Sequence, residues 1–342
     1  MSESAKRVLL MAGAVVAALL VLELGLRAAD GYLGDWSNLV LRARTALGET
    51  EAQRFVPDPK VGYVPKGGTR GNGVTGAVTG AGGSRPVVLA VGDSYTYGEE
   101  VGDDETWPAF LQAKLAQPVV NGGVSGFGFD QIVLRAEALA AQLEPGTIVA
   151  AFIADDIRRA EMRRMWGAEK PYFVFEDGRL LARNLPVPPR PDPASTLSIW
   201  QRLLGRSYLF DFVLRRLDLL YDWFGDHIRV HPAGTGERIA CALTERLAAL
   251  QKTSRAPNDK RVVLVVALYD PVVWQDPAFA AEQRRMTQGL LACAAKQGLA
   301  TLDTFSALEK AGAGTLYKQW HMNAKGNRLV ADLIAQSLST PR

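Results

Sequence analysis

Cysteine and histidine are scarce in this 342-residue chain, which holds two of the first and three of the second. Neither falls into a CxxC or Cys/His ligand spacing, so the sequence carries no zinc signature. His227 and His231 are four apart in DWFGDHIRVHP, near Asp222 and Asp226. That spacing can place two ligands on one helix face, but Pro232 follows at once and no third ligand is evident. Neither a metal nor an organic cofactor is expected. Long Lys/Arg stripes interleaved with aromatics are also lacking, and the net charge is only +3. Nucleic acid is therefore excluded as a partner. No long-period internal repeat is visible. The cysteines, Cys241 and Cys293, lie in the Ala-rich segments GERIACALTERL and TQGLLACAAKQG. The simpler reading is two small buried hydrophobes. The sharper one is a disulfide, which requires a location outside the cytosol.

What remains is an ordinary globular composition, 48% hydrophobic and 22% charged. A chain of this length can bury a sizeable core, in one extended α/β domain or in two domains. Residues Val8 to Leu22 form an unbroken apolar run after Lys6 and Arg7. Glu23 interrupts it, and Leu24 to Leu26 extend it toward the length of a spanning helix. A cleaved signal peptide needs small residues before the cut, and Arg27-Ala28-Ala29 is a poor candidate. An uncleaved signal anchor over residues 1–29 is expected, with the membrane contacted through residues 8–26. Lys6 and Arg7 stay inside by the positive-inside rule. The rest of the chain then lies on the extracytoplasmic, periplasmic side of the inner membrane.

Residues 30–85 read as a partly helical juxtamembrane segment ending in PDPKVGYVPK, followed by the Gly-rich stretch 67–84, a flexible linker or surface loop. The pattern changes near Pro86. Short β-branched runs recur at 87–92, 119–121, 147–153, 261–268 and 299–305, with helix-like stretches such as 106–116 and 130–143 between them. This alternation predicts a parallel sheet with helices on both faces over residues 86–340. Residues 157–240, rich in Arg, Trp, Tyr and Pro, break the rhythm and read as an insertion.

In such a sheet, ligands bind beyond the carboxyl ends of the strands. Gly92-Asp93-Ser94 follows the first run, and Asn121 to Gly126 follows the second. Asp155 and Asp156 follow the third. His321-Met322-Asn323 precedes the last helix. Ser94 on a strand-to-helix turn has free backbone N–H groups and a positive dipole end beside it. His321 can take its proton and return it to a leaving group. Arg158, Arg159, Arg163 and Arg164 are expected on a helix starting at the acidic pair. Asp156, Arg158 and Arg159 are candidates for a substrate rim.

These blocks carry a resemblance. AVGDSYTYGEEV, NGGVSGFGFDQ, FIADDIRR and HMNAKGNRLVADLI resemble the four blocks of the SGNH (GDSL-type) hydrolase superfamily. The anchor and PDPKVGYVPK look like its bacterial membrane-anchored branch. The resemblance implies a flavodoxin-like three-layer α/β/α sandwich. It implies Ser94 as nucleophile and His321 as base, with Ser94, Gly126 and the residue at 155 as oxyanion donors. Two positions depart from it. Asp155 stands where the family has asparagine, and it can donate only if burial keeps it protonated. Lys318 stands where the family has the aspartate that orients the histidine, with Asp270 a candidate substitute.

The expected function is ester hydrolysis on an acylated glycan or lipid of the cell envelope. The alternatives are O-acyl transfer, or an inactive SGNH fold that binds or helps assemble envelope polysaccharide. Oligomeric state is not legible.

Overall fold

The computed structural model describes residues 2–71, 87–217, 219–253 and 261–339. The Gly-rich stretch from residue 72 onward, and Pro86, lie outside the described residues. The chain divides into two compact units, Met1–Gln53 with Arg190–Ile228, and Arg54–Pro189 with Arg229–Arg342.

In the larger unit the five apolar runs become strands: β1 (Val88–Val91), β2 (Val119–Asn121), β3 (Thr147–Phe152), β4 (Val262–Ala267) and β5 (Ala300–Asp303). All pair in parallel, in the order β5-β4-β3-β1-β2. The register places Leu89 beside Val120 on one side and Ile148 on the other. β1 is buried along its whole length, which is why it reads as a continuous apolar run rather than an alternating one. Helix Trp107–Leu115 packs on Ala324–Ser339, and Thr235–Lys252 packs between Phe129–Leu143 and Pro277–Lys296. These two groups and the sheet make the three-layer α/β/α sandwich.

Polar bonds fix the helices to one another. Arg246 grips Glu137 with two bonds of 2.7 and 2.6 Å, and Arg285 grips Glu237 with two of 2.8 and 2.7 Å. Cys241 and Cys293 are joined by a disulfide between Thr235–Lys252 and Pro277–Lys296. They are half-buried and bonded, not a pair of independent buried hydrophobes. The facing helices bring their Cα atoms within 5.4 Å, inside the usual range for a bridge.

Arg163 and Arg164 are not helical. The helix Ala154–Arg159 ends, and both arginines lie on the strand Met162–Met165. The chain turns there because the buried Glu161 carboxylate accepts from the Gly236 N–H at 3.0 Å and pairs with Arg229. His231 bonds the Phe173 carbonyl through Nε2 at 2.7 Å. His227 and His231 flank the short strand Ile228–Arg229 instead of sharing a helix face.

The motif PDPKVGYVPK forms most of a hairpin, Phe55–Asp58 against Gly62–Pro65. In the smaller unit, Glu3–Ala29 is one helix, long and apolar enough to cross a membrane. Helices Ile199–Leu204, Tyr208–Arg216 and Leu220–Phe224 belong to the same unit.

Candidate active site

β1 ends at Val91, and after Gly92 and Asp93 the chain enters the one-turn helix Ser94–Tyr97. Asp93 caps that turn, its Oδ1 accepting from Tyr95 N–H at 2.9 Å. The turn lies so close on β3 that a Cβ at Gly92 would stand 2.7 Å from the Ala151 carbonyl oxygen and 2.0 Å from Thr96 Oγ1. Ser94, the first residue of the turn, is 8% exposed.

His321 arrives from the far end of the sequence. Asn323 caps the last helix, its Oδ1 accepting from Lys325 and Gly326 N–H. Its amide donates to the Thr315 carbonyl at 2.9 Å, and Lys318 N–H donates to the His321 carbonyl at 2.9 Å. The Tyr95 ring lies 5.1 Å from the imidazole, and its hydroxyl donates to the Trp320 carbonyl at 2.8 Å. Burial, then the Asp270 carboxylate, push the Tyr95 phenol well up. The result is a His321 Nε2 to Ser94 Oγ distance of 3.0 Å.

The other imidazole nitrogen faces a residue that the sequence did not single out. Glu100 Oε1 lies 3.5 Å from His321 Nδ1, and Oε2 lies 3.5 Å from Trp320 N. Glu100 has φ of 67°, a left-handed conformation that costs a residue with a Cβ about 1–2 kcal/mol. Lys318, at the position of the missing aspartate, donates from Nζ to the Glu100 carbonyl. The lysine thus holds the turn that carries the carboxylate. Asp270 is spent elsewhere, accepting from Val272 and Val273 N–H at 2.9 and 3.3 Å as a helix cap.

The second block forms the opposite wall. Gly122 N–H donates to Ala90 O at 2.7 Å and Val124 N–H to Gly92 O at 3.0 Å, tying the glycine turn to the Ser94 turn. The hairpin supports it from outside. Tyr63 hydroxyl donates to Ser125 O at 2.7 Å, and its ring meets Phe127 edge-on at 5.5 Å. Gly126 has φ of 76°, and a Cβ there would lie 2.7 Å from Trp166 Nε1 and 3.0 Å from the Tyr63 hydroxyl. Only glycine fits this point.

Asp155 and Asp156 begin the helix after β3, and they part ways. Asp155 is half exposed and pairs with Arg158 at 2.9 Å and Arg159 at 3.7 Å. It lacks the burial that its expected role as an oxyanion donor requires. Asp156 is fully buried, and its Oδ2 accepts from Ile153 N–H at 3.0 Å. Arg159 is half-buried and donates to Asp156 Oδ1 at 2.7 Å, Phe127 O at 3.1 Å and Asp93 Oδ2 at 3.5 Å. Asp156 therefore does not line a rim; its charged pair with Arg159 forms a floor beside Asp93. Arg158 remains partly exposed, between Asp155 and Glu282. One guanidinium serves two buried carboxylates, Asp93 and Asp156. Burial, and next the Asp93 charge, raise the Asp156 carboxyl well above the ordinary range. Burial alone would lower the Arg159 guanidinium, but Asp156, Asp155 and Asp93 outweigh it and raise it.

A second buried pair lies next to this floor. Lys170 Nζ donates to Asp130 Oδ2 at 2.5 Å and to the carbonyls of Arg159, Met162 and Pro171. Burial pushes Lys170 down and Asp130 up. Among the described residues no cluster of three or more His, Cys, Asp or Glu side chains could hold a metal ion.

A strand-turn serine, a histidine at hydrogen-bond distance and a glycine turn tied to the serine turn lie together beyond the carboxyl ends of β1 and β2. The model of the GDSL-like Lipase/Acylhydrolase family matches residues 90–329, and the chain belongs to that family of ester-acting hydrolases. No curated protein matches the sequence. Solved structures similar to it include an acetylxylan esterase from Geobacillus stearothermophilus, at 14% identity, covering 76% of this chain and 96% of that one, with a TM-score of 0.42. An alpha/beta hydrolase enzyme from the metagenome of Lake Arreo, Spain, is 14% identical over 74% of this chain and 94% of its own, with a TM-score of 0.44. A member of the lipolytic G-D-S-L family from Veillonella parvula is 14% identical over 73% and 96%, with a TM-score of 0.40.

Proposed function

We propose that the protein is a membrane-anchored extracytoplasmic serine esterase in which Ser94, His321 and Glu100 act in sequence. The observation that carries this is the 3.0 Å contact between Ser94 Oγ and His321 Nε2. Glu100 beside Nδ1 favours the tautomer with its proton on Nδ1, which leaves Nε2 free to accept from Ser94. Ser94 Oγ attacks the ester carbonyl carbon while His321 takes its proton. The oxyanion that forms is met by the Ser94 and Gly126 N–H groups. Collapse expels the alcohol, which receives the proton from His321. Water then attacks the acyl-serine with His321 as base, and the acid is released.

Two features support the location. The apolar helix Glu3–Ala29 follows the pattern of a signal anchor, with Lys6 near its start. The Cys241–Cys293 disulfide fits an oxidising compartment. A catalytic unit anchored there meets acylated glycans and lipids of the cell envelope, and this is the proposed substrate class.

The test is acyl release from O-acetylated envelope polysaccharide and from acylated lipid by the detergent-solubilised full chain. Release by the wild type that is lost in Ser94→Ala and His321→Ala supports the reading. Equal release by Ser94→Ala and wild type, or none from any ester, sinks it.

A further inference from the structure

Glu23 is a carboxylate in an otherwise apolar helix, and it is buried at 7% exposure. It accepts from Arg27 Nε at 2.6 Å, Ser207 Oγ at 2.9 Å, and the N–H groups of Tyr208 and Leu209 at 2.8 Å each. Those two N–H groups belong to the first turn of helix Tyr208–Arg216, which has no intrahelical acceptors for them. Arg27 is fully buried, and donates onward to the carbonyls of Tyr32, Asp35 and Arg206. Its guanidinium lies 4.1 Å from the Trp36 ring centre. The carboxylate and guanidinium thus fasten helix Tyr208–Arg216 to the anchor helix at one level.

That level can be worked out. At about 1.5 Å per residue, residues 8 to 26 of the helix span about 28 Å, close to the roughly 30 Å of a bilayer's hydrocarbon core. Glu23 lies three residues from Leu26, so it sits about 4.5 Å inside the outer edge. Amphipathic helices that lie along a membrane bury their apolar face to about 5–10 Å.

The helix held there, and helix Ile199–Leu204 just before it in the chain, expose apolar side chains. Ile199, Trp200 and Leu203 are 63%, 63% and 61% exposed, at i, i+1 and i+4 on one helix face. Val213 and Leu217 are 41% and 60% exposed in and just after the next helix. The cations Arg202, Arg206 and Arg216 are exposed among them.

We propose that helices Ile199–Leu204 and Tyr208–Arg216 form a shelf lying in the extracytoplasmic interface of the bilayer, with Trp200 and its neighbours in the acyl boundary. This rests on the reading of Glu3–Ala29 as a spanning anchor. The occupant is lipid because the shelf is continuous with the spanning helix at Glu23. Its arginines match anionic headgroups, and a tryptophan at this depth suits the interfacial belt.

The full chain is reconstituted in phosphatidylcholine/phosphatidylglycerol vesicles, with and without lipids brominated near the headgroup end of the acyl chain. The Trp200 contribution is the difference between the emission of wild type and of Trp200→Phe, a change at an exposed position. The shelf predicts that brominated lipid removes this difference emission and aqueous iodide leaves it intact. Quenching by iodide but not by brominated lipid overturns the shelf. Protection from both quenchers overturns it in favour of a protein partner. Extraction of the chain from vesicles by alkaline carbonate separately shows that the anchor reading has failed. Retention with unquenched Trp200 shows that the shelf alone has failed.

Discussion

Replacing Glu100 separates its service to His321 from its cost to the fold. In a serine triad, changing the orienting carboxylate to its amide lowers kcat about 10⁴-fold. The Glu100 contact is long, at 3.5 Å, and its side chain is 27% exposed, so solvent screens it. Glu100→Gln is therefore expected to lower kcat by roughly 10²- to 10³-fold, or about 2.7–4 kcal/mol of transition-state stabilisation, with KM nearly unchanged. Glu100→Asp, which keeps the charge, should recover part of the loss. Glu100→Gly gives the opposite sign in the second assay. It removes the same carboxylate but relieves the φ of 67°. Stability should rise by up to about 1 kcal/mol while activity falls. Steady-state kinetics on a soluble short-chain aryl ester and thermal unfolding of the same preparations read the two effects. A Glu100→Gln kcat within about threefold of wild type would refute the assignment, as would a loss confined to KM.

Asp155→Asn supplies an amide where the paired carboxylate now stands. It is expected to raise kcat, with about 10²- to 10³-fold as the ceiling set by one oxyanion donor, measured on the same ester. Lys170→Met strands the buried Asp130 and should destabilise the fold by about 3–5 kcal/mol in denaturant titration, with much of the loss recovered in Lys170→Met/Asp130→Leu. Asp156 binds its proton more tightly folded than unfolded. Its contribution to stability is thus full at low pH, and is lost as pH rises from the ordinary carboxylate range through the raised folded value. Unfolding midpoints across that range should fall with pH less steeply in Asp156→Asn than in wild type.

Most of the sheet was legible because four of its five strands, β1 to β4, are buried on both faces. Runs such as VVLAVG and RVVLVVAL have no other stable use between helical stretches. The placement of the serine turn, the glycine turn and the histidine was legible because each needs a particular residue beside a strand or helix end. Glu100 was not, because nothing in one sequence says that a left-handed residue will fold its carboxylate back toward a histidine 221 positions away. Its only signal is an acidic residue shortly after the serine turn, in a chain whose expected aspartate is Lys318. Asp156 was misplaced for a related reason. A charged pair beside a crevice reads as a rim, and only packing shows that the Asp156 carboxylate turns inward to accept from Ile153 N–H. The cysteines read as ordinary small residues because pairing depends on how two helices face each other.

The proposed function stands on His321 activating Ser94. The direct measurement is intact-mass analysis of the full chain after a fluorophosphonate probe, beside Ser94→Ala and His321→Ala. An activated Ser94 takes one adduct on the wild type, mapped to Ser94, with none on Ser94→Ala and strongly slowed labelling of His321→Ala. A folded wild type that takes no adduct, or an adduct that persists in Ser94→Ala, would contradict it.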